Sequence, residues 1–123
     1  MLPGQGLKNV WLGVTVENQE MAEKRIPELI EQNGGCFKLF LSCDPLLGPI
    51  DLSPWIDDID WVIVGAETGP NARSISDSWV QQISTCCMLN DIPYFFKSWG
   101  ESPNMRFKKN IQDERREFPT GLN

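Results

Sequence analysis

Four short segments rich in β-branched and aromatic residues alternate along the chain with longer segments of helical periodicity. The four apolar segments are residues 9–16, 37–43, 60–67 and 92–98. Each carries apolar residues on both faces of a period-2 pattern, which is typical of strands buried in a parallel sheet. Their starts lie about 23 to 32 residues apart, which is the repeat of a right-handed βαβ unit. The sequence therefore predicts an α/β fold with four parallel strands in βα repeats.

The first segment between strands has clear helix signals. Asn18 is a favoured capping residue, and the apolar residues of 19–32 recur on one face. Gly34 and Gly35 follow and predict the end of the helix. Pro27 lies inside and predicts a kink or a division, because proline removes a backbone donor.

Two further helices are predicted between the later strands. Ser53 precedes Pro54 and is expected to cap a short helix over 54–57. Ser76 is expected to cap a longer helix over 77–90. The residues that this helix is predicted to bury are Trp79, Val80, Ile83, Cys87 or Met88.

If the four strands lie side by side in chain order, the helices leave one face of the sheet bare. Right-handed crossovers between neighbouring strands place every helix on the same face. An exposed Val, Leu or Phe side chain forfeits roughly 1.5–3 kcal/mol, so several of them need a cover. A closed barrel with more strands, a partner subunit, or a shuffled strand order with helices on both sides would supply one. Because 123 residues are about half of an eight-stranded barrel, we predict half of a TIM-like barrel.

The chain divides by composition into a half-barrel domain, 1–100, and a C-terminal tail, 101–123. The tail holds five of the eleven basic residues and few apolar anchors, which leaves the body at about −7 and the tail at about +1. One interpretation is a solvated, partly ordered tail. The other is an arm that docks on an acidic body, either its own or that of a partner.

Composition excludes several function classes. The chain has no histidine, which excludes Ser-His-Asp and Cys-His catalysis and His-ligated metal sites. Its net charge of −6 makes broad nucleic-acid binding unexpected, since such binding needs a positive surface. No apolar run is long enough for a membrane span, and the N-terminus does not have the pattern of a secretory signal.

The cysteines predict a reducing compartment. Cys36, Cys43, Cys86 and Cys87 lie in or beside apolar runs, where a reduced cysteine behaves as a small buried hydrophobe. Their spacing matches no common zinc pattern, and no metal site is predicted. We therefore expect free structural thiols and a cytoplasmic protein.

Polar residues lie at or just after the carboxyl end of each predicted strand and are expected to meet, because the carboxyl ends of parallel strands share one edge of the sheet. The candidates are Glu17, Asn18, Ser42, Asp44, Glu67, Arg73, Lys97 and Trp99. Together they could bind a polar ligand that carries amines, hydroxyls or a carboxylate. The alternative is that they serve as helix caps and internal ion pairs, Glu67 with Arg73 and Asp44 with Lys97.

Four motifs in the same order resemble a phage-encoded family of uncharacterised proteins. They are NVWLGVTVEN (9–18), FLSCDPLLGPIDL (40–52), DWVIVGAETGPNAR (60–73) and IPYFFKSWGE (92–101). The family is the one labelled by phage gene products thirty-seven and sixty-eight, and the resemblance covers about residues 7–101. Its pattern usually has Glu where this chain has Asp44, and Gly-Glu-Ser where it has Ala66-Glu67-Thr68.

The resemblance implies a radical-SAM-type barrel of which this chain matches the C-terminal half. The N-terminal half would carry the cysteine motif for a [4Fe–4S] cluster, and this chain has no CxxxCxxC. In full-length members the candidates named above would face S-adenosylmethionine or substrate. We expect no cofactor in this chain alone, and both groups only where a cluster-bearing half is supplied.

Three functions remain open from the sequence. The favoured one is a non-catalytic half-barrel that forms a homodimer or binds a second protein half, so the chain is not expected to be an enzyme on its own. The second is the C-terminal part of a radical-SAM-like enzyme. The third is a phage accessory factor that presents negative charge to a host protein and inhibits it.

Overall fold

A computed structural model of the chain describes residues 10–100 and 114–119. The elements in chain order are β1 Trp11–Thr15, α1 Gln19–Asn33, β2 Lys38–Cys43, a 3₁₀ turn Ile56–Asp58, β3 Trp61–Val64, α2 Asp77–Leu89 and β4 Tyr94–Phe96. The four strands are parallel and lie in the order β1-β2-β3-β4. This confirms the predicted α/β fold with four parallel strands, which here form an open sheet.

Helix α1 begins and ends where the sequence predicts. The Asn18 Oδ1 accepts a hydrogen bond from the Met21 amide at 3.0 Å, and Gly34 ends the helix with a left-handed φ of 57°. The predicted division at Pro27 is wrong, because one helix runs through it. Pro27 lies on the exposed side, so the carbonyl that loses its helical donor can bond water, while Ala22 and Ile26 are buried on the other side.

The crossover from β2 to β3 differs from the prediction. The predicted helix over 54–57 is replaced by a turn and a 3₁₀ turn at Ile56–Asp58. Ser53 does not cap it, because its amide and hydroxyl both donate to Asp51 Oδ1, at 3.0 and 2.7 Å. The crossover is fixed instead by its buried apolar side chains, which are Leu46, Ile50, Leu52, Ile56 and Ile59.

Helix α2 starts after Ser76, but the Ser76 side chain makes no capping bond and lies 2.9 Å from the Ser78 hydroxyl. Val80, Ile83 and Cys87 are buried as predicted. Of the two alternatives Cys87 and Met88, Cys87 is the buried one. Met88 is exposed because it lies one position beyond Cys87 and so turns about 100° away from the buried stripe.

One hydrophobic core lies on one face of the sheet. The strand residues that contribute to it all share one pleat orientation, and they are Leu39, Leu41, Cys43, Val62, Val64, Tyr94 and Phe96. Buried residues of both α1 and α2 belong to the same cluster. The two helices therefore cover the same face, as right-handed crossovers require.

The opposite face of the sheet carries an aromatic cluster, Trp11, Phe40, Trp61 and Phe95, which we call the aromatic face. The Trp61 ring centroid lies 6.2 Å from those of Trp11 and Phe40 and 6.4 Å from that of Phe95. Gly13 gives the Phe40 ring its room, since a Cβ at position 13 would overlap that ring. All four aromatic side chains are only half-buried.

Residues 114–119, which we call the edge segment, lie along the outer edge of β4. The Phe96 amide donates to the Arg115 carbonyl, and the Glu117 amide to the Tyr94 carbonyl, both at 2.8 Å. Arg116 pairs with Phe95 in an antiparallel bridge. The described part of the predicted tail thus docks on the chain's own sheet, while its basic residues Arg106, Lys108 and Lys109 lie outside the described residues.

The thiols are free, and two of them are structural. Cys43 and Cys87 are buried, and burial raises the pKa of both, that of Cys87 to about 12. The prediction of a buried thiol is wrong for Cys36, which is exposed in the turn after α1. That turn lies outside the apolar cluster because Gly34 and Gly35 reverse the chain before β2 begins.

In residues 10–100 and 114–119, no helix has the length and apolar character that crossing a membrane needs.

Candidate functional site

The loops that follow the four strands are joined at one edge of the sheet. The Leu47 amide donates to the Glu17 carbonyl at 2.8 Å, and the Leu46 amide to the Gly65 carbonyl at 2.9 Å. The Ala66 amide donates to the Ser98 carbonyl at 3.0 Å. These backbone bonds connect the loops at the ends of all four strands, and these loops carry the predicted rim residues.

The first loop uses its polar residues structurally. Asn18 caps α1, as described above. Glu17 Oε1 accepts a hydrogen bond from Arg25 Nη1 at 3.0 Å, and the same nitrogen donates to the Thr15 carbonyl at 2.7 Å. Arg25 therefore fastens α1 to the end of β1, and sequence reasoning had not singled it out.

Asp44 and Lys97 form an ion pair across the carboxyl ends of β2 and β4. Lys97 Nζ lies 2.7 Å from Asp44 Oδ2. Gly65, at the end of β3, lies between them, and a Cβ there would come within 2.9 Å of Asp44 Oδ1. The pair therefore depends on a small residue at the end of the intervening strand.

This ion pair borders a pocket of about 300 Å³ on the aromatic face, the aromatic pocket. Besides Asp44 and Lys97, its lining residues are Ser42, Trp61, Ile63, Phe95 and Phe118. An apolar floor next to one carboxylate and one ammonium suits a ligand with a flat apolar part and a polar group.

Glu67 and Arg73 form a second pair, joined by three hydrogen bonds, in the loop after β3. Arg73 Nε donates to Glu67 Oε1 at 3.0 Å and Nη2 donates to Oε2 at 2.8 Å, while the Arg73 amide also donates to Oε1 at 2.9 Å. Hydrogen bonds from the side chain and the amide of Arg73 lower the pKa of Glu67 to about 2.

A second pocket of about 300 Å³, the loop pocket, lies beside this pair. Its other lining residues are Gly69, Pro70, Ala72, Ser74, Trp99 and Gly100. Trp99 is buried with its ring centroid 4.8 Å from that of Phe96, and its indole N–H donates to Glu114 Oε1 at 2.8 Å. Trp99 is thus a wall of the pocket, held by β4 and the edge segment.

The sequence reasoning missed the apolar half of the aromatic pocket. Ser42, Ile63 and Phe95 are register partners on neighbouring strands and share one pleat orientation. Lys97 lies two residues after Phe95 and therefore has the same pleat orientation. The alternation of side chains in the predicted strands held this signal, since Ser42 and Lys97 mark the face that is away from the helices.

The stability of the protein should depend on Glu67 in acid. The Glu67 pKa is lowered from 4.5 to about 2, so the ion pair stabilises the fold fully above pH 4.5, and this contribution is lost as the pH falls toward 2. Between pH 5 and pH 2, we expect the free energy of unfolding to fall less in Glu67→Gln than in the wild-type chain. Urea unfolding at a series of pH values measures this, and parallel curves for the two proteins would contradict it.

The residues present do not fit an iron–sulfur cluster. Within residues 10–100 and 114–119, no three Cys, His, Asp or Glu side chains gather into a group that could hold a metal ion. Cys36, at the amino end of β2, and Cys43, at its carboxyl end, are separated by the length of the strand, and Cys86 and Cys87 lie on α2. A cluster needs several thiolates around it, so its ligands would have to come from another segment.

Comparison with known proteins identifies a family. No curated protein and no solved structure matches the chain. One family model does match, that of a protein of unknown function (DUF5131), and the match runs over residues 2–119. Because this match covers nearly the whole chain, the protein belongs to the DUF5131 family.

Proposed function

We propose that this chain is a non-catalytic half-barrel that pairs its aromatic face with that of a second copy. The observation that carries the proposal is the half-buried aromatic cluster around Trp61 on the face opposite the helices. Burying a large apolar side chain fully is worth roughly 1.5–3 kcal/mol, so covering this cluster favours association. The four free thiols support a reducing compartment such as the cytoplasm as its location.

The charges beside the aromatic face suit a two-fold pairing. A two-fold interface sets the same patch against itself, so each charge needs its opposite within the patch. Asp44 and Lys97 provide one charge of each sign next to the aromatic pocket. In a dimer, Asp44 of one copy can approach Lys97 of the other without leaving either charge unpaired.

The edge segment favours stacked sheets over strand addition at β4. Its Arg115 carbonyl and Glu117 amide already bond the backbone of β4. A further strand could not pair there without displacing residues 114–119. The proposed dimer therefore buries sheet faces against each other, as in other face-to-face packings of sheets.

Light scattering coupled to size-exclusion chromatography tests the dimer. We expect the wild-type chain to have twice the mass of one chain, and Phe40→Ser, which truncates a ring of the aromatic face, to dissociate at concentrations where the wild type stays paired. Leu89→Ser is the control, because Leu89 is exposed on α2, behind the opposite face. A wild-type mass of one chain at every attainable concentration would overturn the proposal.

The polar rim supports a second candidate, the C-terminal part of a radical-SAM-like enzyme of the phage family described above. The Asp44–Lys97 and Glu67–Arg73 pairs, with the aromatic pocket and the loop pocket beside them, lie at the carboxyl ends of the strands, where α/β enzymes place their ligands. A separate half would have to supply the [4Fe–4S] cluster, and S-adenosylmethionine would bind only to the assembled pair. Co-expression with a CxxxCxxC-bearing neighbour, followed by mass and iron assays, tests it. An iron-bearing complex of the two chains would support it, and an iron-free one would count against it.

A further inference from the structure

We propose that the loop pocket binds the phosphate group of a small ligand, with Arg73 as its anchor. The pocket lies between the loops after β3 and β4 and measures about 300 Å³. That volume is at the small end of the roughly 300–1,000 Å³ range of ligand pockets, so it suits a small molecule.

Arg73 is held in place with donors to spare. Its Nε and Nη2 both donate to Glu67, which fixes the plane of the guanidinium. Among the described residues, its Nη1 has no hydrogen-bond partner, and the side chain is 65% exposed. A guanidinium that is already oriented loses less conformational freedom when it binds a planar or tetrahedral anion.

The neighbouring carboxylate does not compete for the same space. Glu67 Oε1 accepts from both the amide and Nε of Arg73, and Oε2 accepts from Nη2. Both carboxylate oxygens are therefore engaged with Arg73 itself. Glu67 acts as a positioning residue that holds the guanidinium, while the Nη1 edge is left for an anion.

The loop backbone allows a close approach to the pocket. Gly69 and Gly100 line it with φ values of 107° and 77°, in the left-handed region that favours glycine. A Cβ at Gly100 would lie 3.0 Å from the Glu67 carbonyl, so the two loops touch there. The Gly100 amide already donates to Ser98 Oγ at 3.4 Å, so the donors offered to a phosphate are side chains: Arg73 and Ser74, whose hydroxyl can donate, both line the pocket.

The place of the pocket in the fold agrees with this assignment. Complete (β/α)₈ barrels frequently bind phosphate between the loops after their last two strands. In a barrel with four strands ahead of β1, β3 and β4 would be those last two strands. The comparison with complete barrels rests on the proposed half-barrel. The geometry of the pocket and the orientation of Arg73 do not depend on it.

Titration calorimetry of the full chain with inorganic phosphate tests the proposal, with acetate as the comparison anion. We expect phosphate to bind more tightly than acetate, and Arg73→Gln to weaken phosphate binding at least about tenfold, the effect of losing a charge-assisted contact. Arg25→Gln is the matched control, because Arg25 is paired with Glu17 at the same rim and carries the same charge. The assignment would be overturned if the two variants weakened phosphate binding equally, or if acetate bound as tightly as phosphate.

Amide chemical shifts supply a second measurement on the unaltered chain. Phosphate should shift the amide signals of Gly69, Arg73 and Gly100 and leave those of α1 unmoved. Shifts spread evenly over the surface would reject the site. The outcome is separable from the oligomeric state, since a monomer that binds phosphate rejects only the dimer, and a dimer that does not bind it rejects only the pocket.

Discussion

Leu41→Ala should lower the free energy of unfolding by about 2–5 kcal/mol, which is the usual cost of truncating a buried leucine. Leu41 is 0% exposed and lies on β2, an inner strand of the sheet, against the helices. The loss combines the transfer of the removed atoms with the cavity that remains, since flanking strands limit relaxation. Urea unfolding followed by tryptophan fluorescence measures it.

Leu89→Ala is the matched control for this experiment. Leu89 is 74% exposed at the end of α2, so the same chemical change should alter stability by no more than about 0.5 kcal/mol. A similar loss for both substitutions would mean that the burial pattern of the sheet is wrong.

Arg115→Ala should lower the free energy of unfolding by about 1–3 kcal/mol, the range expected for losing hydrogen bonds that a charged group makes in a partly buried position. Arg115 Nη1 donates to the Ser84 hydroxyl and Nη2 to the Ser84 carbonyl, both at 3.1 Å, and Ser84 is buried on α2. The guanidinium also lies 5.0 Å from the centre of the Tyr94 ring. Arg115 therefore joins the edge segment to α2 and to β4 together.

Arg116→Ala is the matched control, because it removes the same positive charge from the edge segment without removing the Arg115 contacts to Ser84. Arg116 is the next residue, and its Nη2 donates to the Lys97 carbonyl at 2.9 Å in an exposed position. Its loss should cost well under half of the Arg115 effect by the same urea unfolding assay. If Arg116→Ala costs as much as Arg115→Ala, the attachment of the edge segment does not depend on Ser84.

Local helix signals predicted the helix boundaries well, except where a nearby side chain formed a competing hydrogen bond. Asn18 and Gly34 act within α1 itself, so their roles followed from sequence alone. Ser53 had the pattern of a cap, but its hydroxyl donates to the side chain of Asp51, two residues earlier. Pro27 had the pattern of a break, but the buried side of α1 keeps the helix continuous.

The candidate site was predicted in its polar part only. Each rim residue lies at or just after the end of a strand, and parallel strands end at one edge, so the expectation that these residues share one edge followed from topology. The aromatic pocket was not predicted, since it needs the register that aligns Ser42, Ile63 and Phe95 across three strands. Phe118 reaches it from the edge segment, where its ring centroid lies 5.8 Å from that of Trp61.

By itself, the sequence determined the number of strands and their parallel direction. These follow from the period-2 apolar segments and from the spacing of βαβ repeats, which act over one repeat at a time. Only the tertiary structure decided that the strands lie in the order β1-β2-β3-β4 with both helices on one face, that the edge segment lies on β4 and that Arg25 is tied to β1. Such contacts join residues that are distant in sequence, so they depend on how the finished strands and helices pack, which no local pattern encodes.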